Sequence, residues 1–200
     1  AGAGRRLFWR ADGAVHARLL GDFAVGRAHR MGLAALTLQR AVGDACRGDA
    51  AFTYGLPNAG ALGVFRRLGF HALGEMNRLT CVLRIGPYLE RVLPARPSRA
   101  IDRLATVAAR LVETASRPRF AGSHGLESVE VDQRFDRLYE QAQRSHGFLG
   151  DRSADFLRWR FMRHPAKAYS IFGLIEKSSR ELAGYAVVQS EGDHAHVTDF

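Results

Sequence analysis

Lysine is almost missing from this chain. Of 29 basic residues only Lys167 and Lys177 are lysines; the rest are arginine. Acidic residues number 20, which leaves a formal net charge of +9. Such a balance invites a nucleic-acid reading. The arginines, however, are spread along the chain and form no block, and alanine and glycine are abundant. A coding bias therefore accounts for the arginine as readily as phosphate binding does. The pattern argues against direct nucleic-acid function, and a basic nucleic-acid-binding domain is kept as a second alternative. A general attraction to anions follows from the charge alone.

Cysteine is scarce as well. Cys46 and Cys81 lie far apart, and no C-x-x-C or Cys/His ligand spacing occurs. Two reduced thiols, a cytoplasmic location and no metal are expected. No apolar run reaches about 18 residues, so no membrane span is expected. The opening AGAGRRLFWRADG lacks the apolar stretch of a signal peptide. It does not begin with Met, so the natural start is expected upstream. What is present is ordinary: 200 residues, 46% hydrophobic and 24% charged, which suits one soluble domain or parts of two.

Along the chain, Leu7 to Arg10 and Val15 to Val25 read as strands, with Asp12-Gly13 between them and Gly21 as a bulge or break. Residues 33–46 read as a helix with Leu33, Leu36, Leu38, Ala41 and Cys46 on its apolar face and Gln39, Arg40 and Asp44 facing out. A strand over 51–56, a turn at Pro57-Asn58 and a helix over 59–68 follow. Residues 71–85 read as two more strands. Pro87, Pro94, Pro97 and Pro118 punctuate a connecting region that holds an amphipathic helix over 99–113. A helix over 133–146 carries Phe135, Leu138, Tyr139 and Ala142 on one face. Ser153 caps a helix over 154–163, which His164-Pro165 ends and which Phe156 and Trp159 anchor in the core. Residues 168–175 and 182–189 pair antiparallel across KSSRE, and HAHVTDF is a last strand. Asp22-Phe23 and Asp199-Phe200 each follow a hairpin-like region, a weak internal repeat.

Segment 52–70, FTYGLPNAGALGVFRRLGF, carries the most functional information. Asn58, Ala61, Phe65, Gly69 and Phe70 match Asn-x-x-Ala-x-x-x-aromatic-x-x-x-Gly-Phe. The segment resembles the fifth strand and fourth helix of the GNAT acyltransferase superfamily, whose members transfer an acyl group from coenzyme A, usually to an amine. Upstream, Gly32, Leu33 and Ala34 fit the last places of the family's Gln/Arg-x-x-Gly-x-Gly/Ala loop. His29 stands at the Gln/Arg place, with Arg30 one residue late. Successive backbone amides at such a loop-to-helix junction suit a pyrophosphate. The segment around Asp155 to Phe161, with Pro165 and Tyr169, is similar to the Leu-x-Trp-Arg-aromatic segment of proteins with two GNAT-like units. Gly184 to Val188 is similar to the family's third strand.

The resemblance implies a mixed α/β (α+β) fold, a GNAT-like central mixed sheet flanked by helices and two partial units. Residues 1–86 would be the acyl-CoA-binding half of one unit, 87–126 a linker with one helix, and 127–200 the front half of a second, cut short. A longer tandem protein is the expected source; a rarer arrangement has both halves completing one sheet. The implied co-substrate is acetyl-CoA or another acyl-CoA. It would be held by Phe23, Ala24, Val25, Arg30, Met31, Gly32, Leu33, Ala34, Asn58 and Phe65. The implied acceptor is a small-molecule or peptide amine.

Asn58 reads equally as a helix cap. Phe65 departs from the family: a Tyr often stands there to protonate the leaving thiolate, and Phe cannot. A non-catalytic acyl-CoA-binding or scaffold module is therefore the first alternative. Tyr54 could substitute as acid, although strand packing suits it better. No general base is identifiable. Asp22 is placed for one, yet a strand-end Asp that caps or pairs with arginine is commoner. His194 and His196 share a strand face but lack a third metal ligand. Ser123-His124 has no nucleophile context and reads as loop.

Overall fold

A computed structural model describes residues 2–30, 33–81 and 122–200. The helix expected over 99–113, the strand expected beyond Cys81 and most of the 87–126 linker lie outside these residues. Residues 1–72 and 126–200 form one compact unit, and 73–125 a second. Of the second, residues 73–81 are exposed irregular chain. The strand expected within 71–81 is therefore absent. Leu73, Met76 and Leu79 are all at least 80% exposed, and no described residue pairs with their backbone.

The first unit is mixed α+β, with two four-stranded sheets. Strand β1 (Gly2–Arg10) and β2 (Gly13–Gly21) form an antiparallel hairpin. The β1 strand begins five residues earlier than its apolar pattern suggests, because Gly2 to Arg6 pair fully with β2. β2 stops at Gly21, four residues before the expected Val25. Asp22 then adopts a left-handed φ of 51°, which Asp tolerates better than most residues, and turns the chain off the ladder. Helix α1 (Ala34–Ala45) leads to β3 (Phe52–Gly55), which pairs parallel with β2 from Ala17↔Phe52 to Leu20↔Gly55. Helix α2 is Ala59–Arg67.

Beyond the linker come β4 (His124–Ser128), α3 (Gln133–Ser145) and β5 (Phe148–Gly150). Helix α4 (Ala154–Leu157) runs into a π-turn over Arg158–Met162. Strands β6 (Ser170–Glu176), β7 (Leu182–Glu191) and β8 (His194–Asp199) follow. The sheet orders are β3-β2-β1-β5 and β4-β6-β7-β8. The first sheet thus takes β5 from the far side of the linker, paired antiparallel to β1.

Two cores result. The larger gathers Val131, Phe135, Ala154, Leu157, Phe161, Ile171, Ile175, Leu182 and Val187 under the second sheet. Trp159 is not among them: it is 53% exposed. The π-turn, in which the Arg163 amide donates to the Arg158 carbonyl at 2.9 Å, inserts an extra residue and rotates Phe161 inward instead. The smaller core is Leu20, Cys46 and Phe65, flanked by Ala3, Val42, Ala61 and Phe70. Helix α1 meets it with a different face from the one its leucines suggest. Gln39 is 2% exposed, whereas Leu33 is 72% exposed and Leu38 and Ala41 also face out. The inward arc is Ala35, Gln39, Val42 and Cys46, whose spacing of four, three and four is as helical as the other.

Gly55 is the tightest point of the smaller core. A Cβ there would lie 2.9 Å from Phe65 Cε1 and 3.4 Å from the Leu20 carbonyl oxygen. The ring cannot swing away easily, since it also packs against Phe70 with centroids 5.1 Å apart. Gly55→Ala is expected to cost about 1–3 kcal/mol in urea unfolding. Gly63→Ala, in α2 with nothing within 4 Å, is expected to stabilise by about 0.4–1 kcal/mol.

The exposed Arg137–Glu181 pair, 3.1 Å, ties α3 to the start of β7, and other ion pairs act within the sheet or at the helix start. Asp132 caps α3 by accepting from the Arg134 amide at 2.9 Å and pairs with its guanidinium at 2.8 Å. That guanidinium holds Asp132 below the usual carboxylate range, as Arg180 holds Glu127. A depressed folded pKa contributes stability above the unfolded value and loses it as pH falls through the folded one. Melting temperature should therefore fall between about pH 5 and pH 2. Asp132→Asn keeps a capping acceptor that does not titrate, so its fall should be shallower.

Candidate functional site

The paired stretch of β2 and β3 ends at Leu20↔Gly55. Past that point the two chains have no ladder in common, and the loop 22–33 leaves from the end of β2. Phe23 and Val25 are half-buried and Ala24 is exposed. No hydrogen bond among the described residues engages the amides of Phe23, Ala24 or Val25. A single 3₁₀ turn over Arg27–His29 follows, closed by the His29 amide on the Gly26 carbonyl at 2.9 Å. Arg30 folds back so that Nε donates to the Val25 carbonyl at 3.1 Å. Met31 and Gly32 lie outside the described residues. Leu33 occupies the N-cap position of α1 with φ −79° and ψ 0°, and no side chain caps the helix. Ala34 opens the helix, and its first turn contains no acid.

This arrangement is exposed, cationic and built largely of main chain. Arg27, His29 and Arg30 are all solvent-facing, and no described carboxylate pairs with Arg27 or Arg30. Uncapped amides at a helix start and a surplus of positive charge favour an anion there.

Asn58 is a helix cap in this structure. Its φ of −72° and ψ of 171° are extended, and Oδ1 accepts from the Ala61 amide at 2.9 Å. Its amide nitrogen remains available at the open end of β3. Phe65 is 6% exposed, one turn from the C-terminus of α2, its ring against Gly55 at the last rung of the parallel pair. The ring is placed where the two strands part but carries no proton to give.

Asp22 neither pairs with an arginine nor caps a helix among the described residues. Its left-handed backbone turns the carboxylate back over Gly2, where a Cβ would lie 3.7 Å from Oδ2. Asp199, its counterpart in the repeat, is held instead: Arg152 Nε lies 2.9 Å and the Tyr185 hydroxyl 3.1 Å from Oδ2. Burial pushes the Tyr185 phenol far above its ordinary value. Tyr54 packs edge-on to Phe8 at 5.5 Å, in a cluster with Phe52 and Phe148, and burial raises it too. His194 and His196 have ring centroids 6.4 Å apart. Groups of three or more metal-ligating side chains are absent among the described residues.

Sequence reasoning missed Arg6. Its guanidinium lies over the Trp159 ring at 5.2 Å and the Phe156 ring at 6.0 Å, beside Tyr54. The signal was the alternation Gly2, Gly4, Arg6, Phe8, which marks one face of a strand that starts at residue 2.

Asn58→Ala should cost about 1 kcal/mol in urea unfolding. Asn58→Asp should recover most of that loss, because the carboxylate also accepts from the first-turn amide. Coenzyme A affinity of the Asp variant, measured by calorimetry, then reports any ligand contact of the side-chain amide separately from the cap.

Among the described residues no helix is long and apolar enough to cross a membrane. Comparison with family models, with curated proteins and with solved structures gives no match to this chain.

Proposed function

We propose that residues 2–70 form the acyl-CoA-binding half of a GNAT-like N-acyltransferase unit, with the acyl donor lying where β2 and β3 part. The observation that carries this reading is the parallel β2–β3 pair, which ends at Leu20↔Gly55 and is followed by amides at Phe23, Ala24 and Val25 that no described residue engages, in a cationic loop before α1. A thioester lying along that end could accept hydrogen bonds from those amides at its carbonyl, and the pyrophosphate could lie at the start of α1. The acceptor amine would attack the carbonyl carbon, forming the C–N bond as the C–S bond breaks. The electron pair leaves on sulfur, and the proton shed by nitrogen passes to solvent.

The second half supports a tandem source for the chain. An Asp-Phe pair lies at the end of each hairpin, although Asp199 is still paired with Val187 in β8 whereas Asp22 stands just past the end of β2.

Phe65 favours a second reading, a binder without turnover. A thiol of ordinary pKa, about 8.5, can leave unassisted, but a general acid contributes about 10²- to 10⁴-fold in rate.

Coenzyme A titrated calorimetrically into the protein should bind. Arg30→Glu and Ala34→Glu should each weaken it at least about tenfold, since each sets a negative charge beside the phosphates. An absence of binding, or binding indifferent to both changes, overturns the proposal. Free-thiol release from acetyl-CoA with a panel of amines separates the two readings, turnover favouring the enzyme and its absence the binder.

A further inference from the structure

The face of the first sheet that turns away from α1 and α2 has a distinctive charge layout. Directly opposed residues on neighbouring strands point the same way, so Gly2, Gly4, Arg6 and Phe8 share this face with Ala17, Leu19, Phe52 and Tyr54. Gly2 and Gly4 leave a floor of bare backbone. Beyond Leu19's carbonyl oxygen at 4.0 Å, a Cβ on Gly4 would meet nothing within contact distance, and Gly4 is exposed. Arg6 stands at one end of the floor, backed by Trp159, Phe156 and Tyr54. Asp22 stands at the other, its carboxylate turned over Gly2.

Neither charge is neutralised among the described residues. Arg6 donates to the Arg5 carbonyl at 3.0 Å and to the Tyr54 hydroxyl, and it makes no ion pair among the described residues. Nearly every other half-buried arginine on this unit has a carboxylate: Arg18 has Asp49, Arg134 has Asp132, Arg152 has Asp199 and Arg158 has Asp155. A guanidinium that lies over two rings and has no carboxylate partner among the described residues is a carboxylate receptor. An unpaired carboxylate at the far end suits an ammonium. About 13 Å of strand separates the α-carbons of Arg6 and Gly2, at roughly 3.3 Å per residue, and Asp22 stands one step farther, past the Gly2↔Gly21 rung. Both side chains reach in over the floor and shorten that span.

We propose that this face binds a small zwitterion whose carboxylate and amine are several bonds apart, the carboxylate on Arg6 and the amine on Asp22, with its chain lying over Gly2 and Gly4. Candidates by chemistry are ω-amino acids, lysine-like amino acids and the ends of short peptides. The amine end lies beside the last residues of β2. Its service as the acyl acceptor rests on the reading of the preceding subsection, but its binding does not.

The test uses the whole chain without coenzyme A. ε-Aminocaproate and lysine are titrated by calorimetry, with caproate and hexylamine as half-ligands. ε-Aminocaproate should bind, and Arg6→Gln and Asp22→Asn should each weaken it about tenfold or more. Caproate should respond to Arg6→Gln alone and hexylamine to Asp22→Asn alone. Gly4→Val should abolish binding by filling the floor, while Arg5→Gln, on the opposite face, should change nothing. No binding by the folded protein, or binding insensitive to both charge changes, overturns the site. Coenzyme A affinity, read separately, fails only with the donor-site proposal. Zwitterion binding without coenzyme A binding upholds the site and removes the acceptor role.

Discussion

Gly55 has no room for a side chain, and much of the first unit depends on that fact. The Phe65 ring fills the space a Cβ would take and the Leu20 carbonyl closes it from the other side. One contact therefore joins three elements: the end of β2, the end of β3 and the last turn of α2. It sets where the parallel ladder stops, and so where the chain from Asp22 onward must find another course. It also presses α2 close to the sheet, which brings Asn58 to the open end of β3 as the cap of that helix. The core around it is small, Leu20, Cys46 and Phe65, so no neighbouring mass of apolar contacts could replace this one.

The two sides of the linker are joined by chemistry of another kind. β5 adds a short antiparallel strand to β1, and its Phe148 stacks on Phe8 at 4.9 Å. The turn that follows β5 sends Arg152 to Asp199 at the end of β8, while Tyr185 supplies the second hydrogen bond to the same carboxylate. Arg152 also lies over the Phe156 ring at 5.7 Å, the ring that Arg6 approaches from β1. Desolvation makes these charged contacts count: Asp199 has a side chain only 11% exposed, so its partners are held where water cannot replace them. The larger core beneath the second sheet is conventional by comparison, an amphipathic α3 and the α4 turn packed on β6 and β7.

The legible parts of the chain were those whose signals are local. Helices α1, α2 and α3 lie within a residue or two of the bounds their patterns imply, and Asn58 and Ser153 cap as their types suggest. The β6–β7 pair around KSSRE, and β8, follow from alternation and turn residues. What failed was orientation. Helix α1 has apolar residues on two arcs, and its periodicity could not say that the arc bearing Gln39 would meet the sheet. Trp159 looked like an anchor because an α-helix would turn it inward; a π-turn changes that phase. Residues 71–81 looked like strand, but a strand needs a partner for its amides, and partners are not written locally. At the candidate site, the capping role of Asn58 was readable from its type and its place before a helix, whereas Arg6 and the left-handed Asp22 were not.

The sequence by itself determined the sites of helix and strand, the caps, the breaks at glycine and proline, and the large positive charge. These arise from backbone sterics and near-neighbour hydrogen bonds, which act over a few residues. Only the tertiary structure decided that β5 would leave its own half to pair with β1, that Phe65 would lie against Gly55, and that Arg6 and Asp22, neither with an ion-pair partner among the described residues, would stand at opposite ends of two glycines. Each of those outcomes depends on which surfaces bury together, and burial is a property of the whole packed chain that no short window of residues contains.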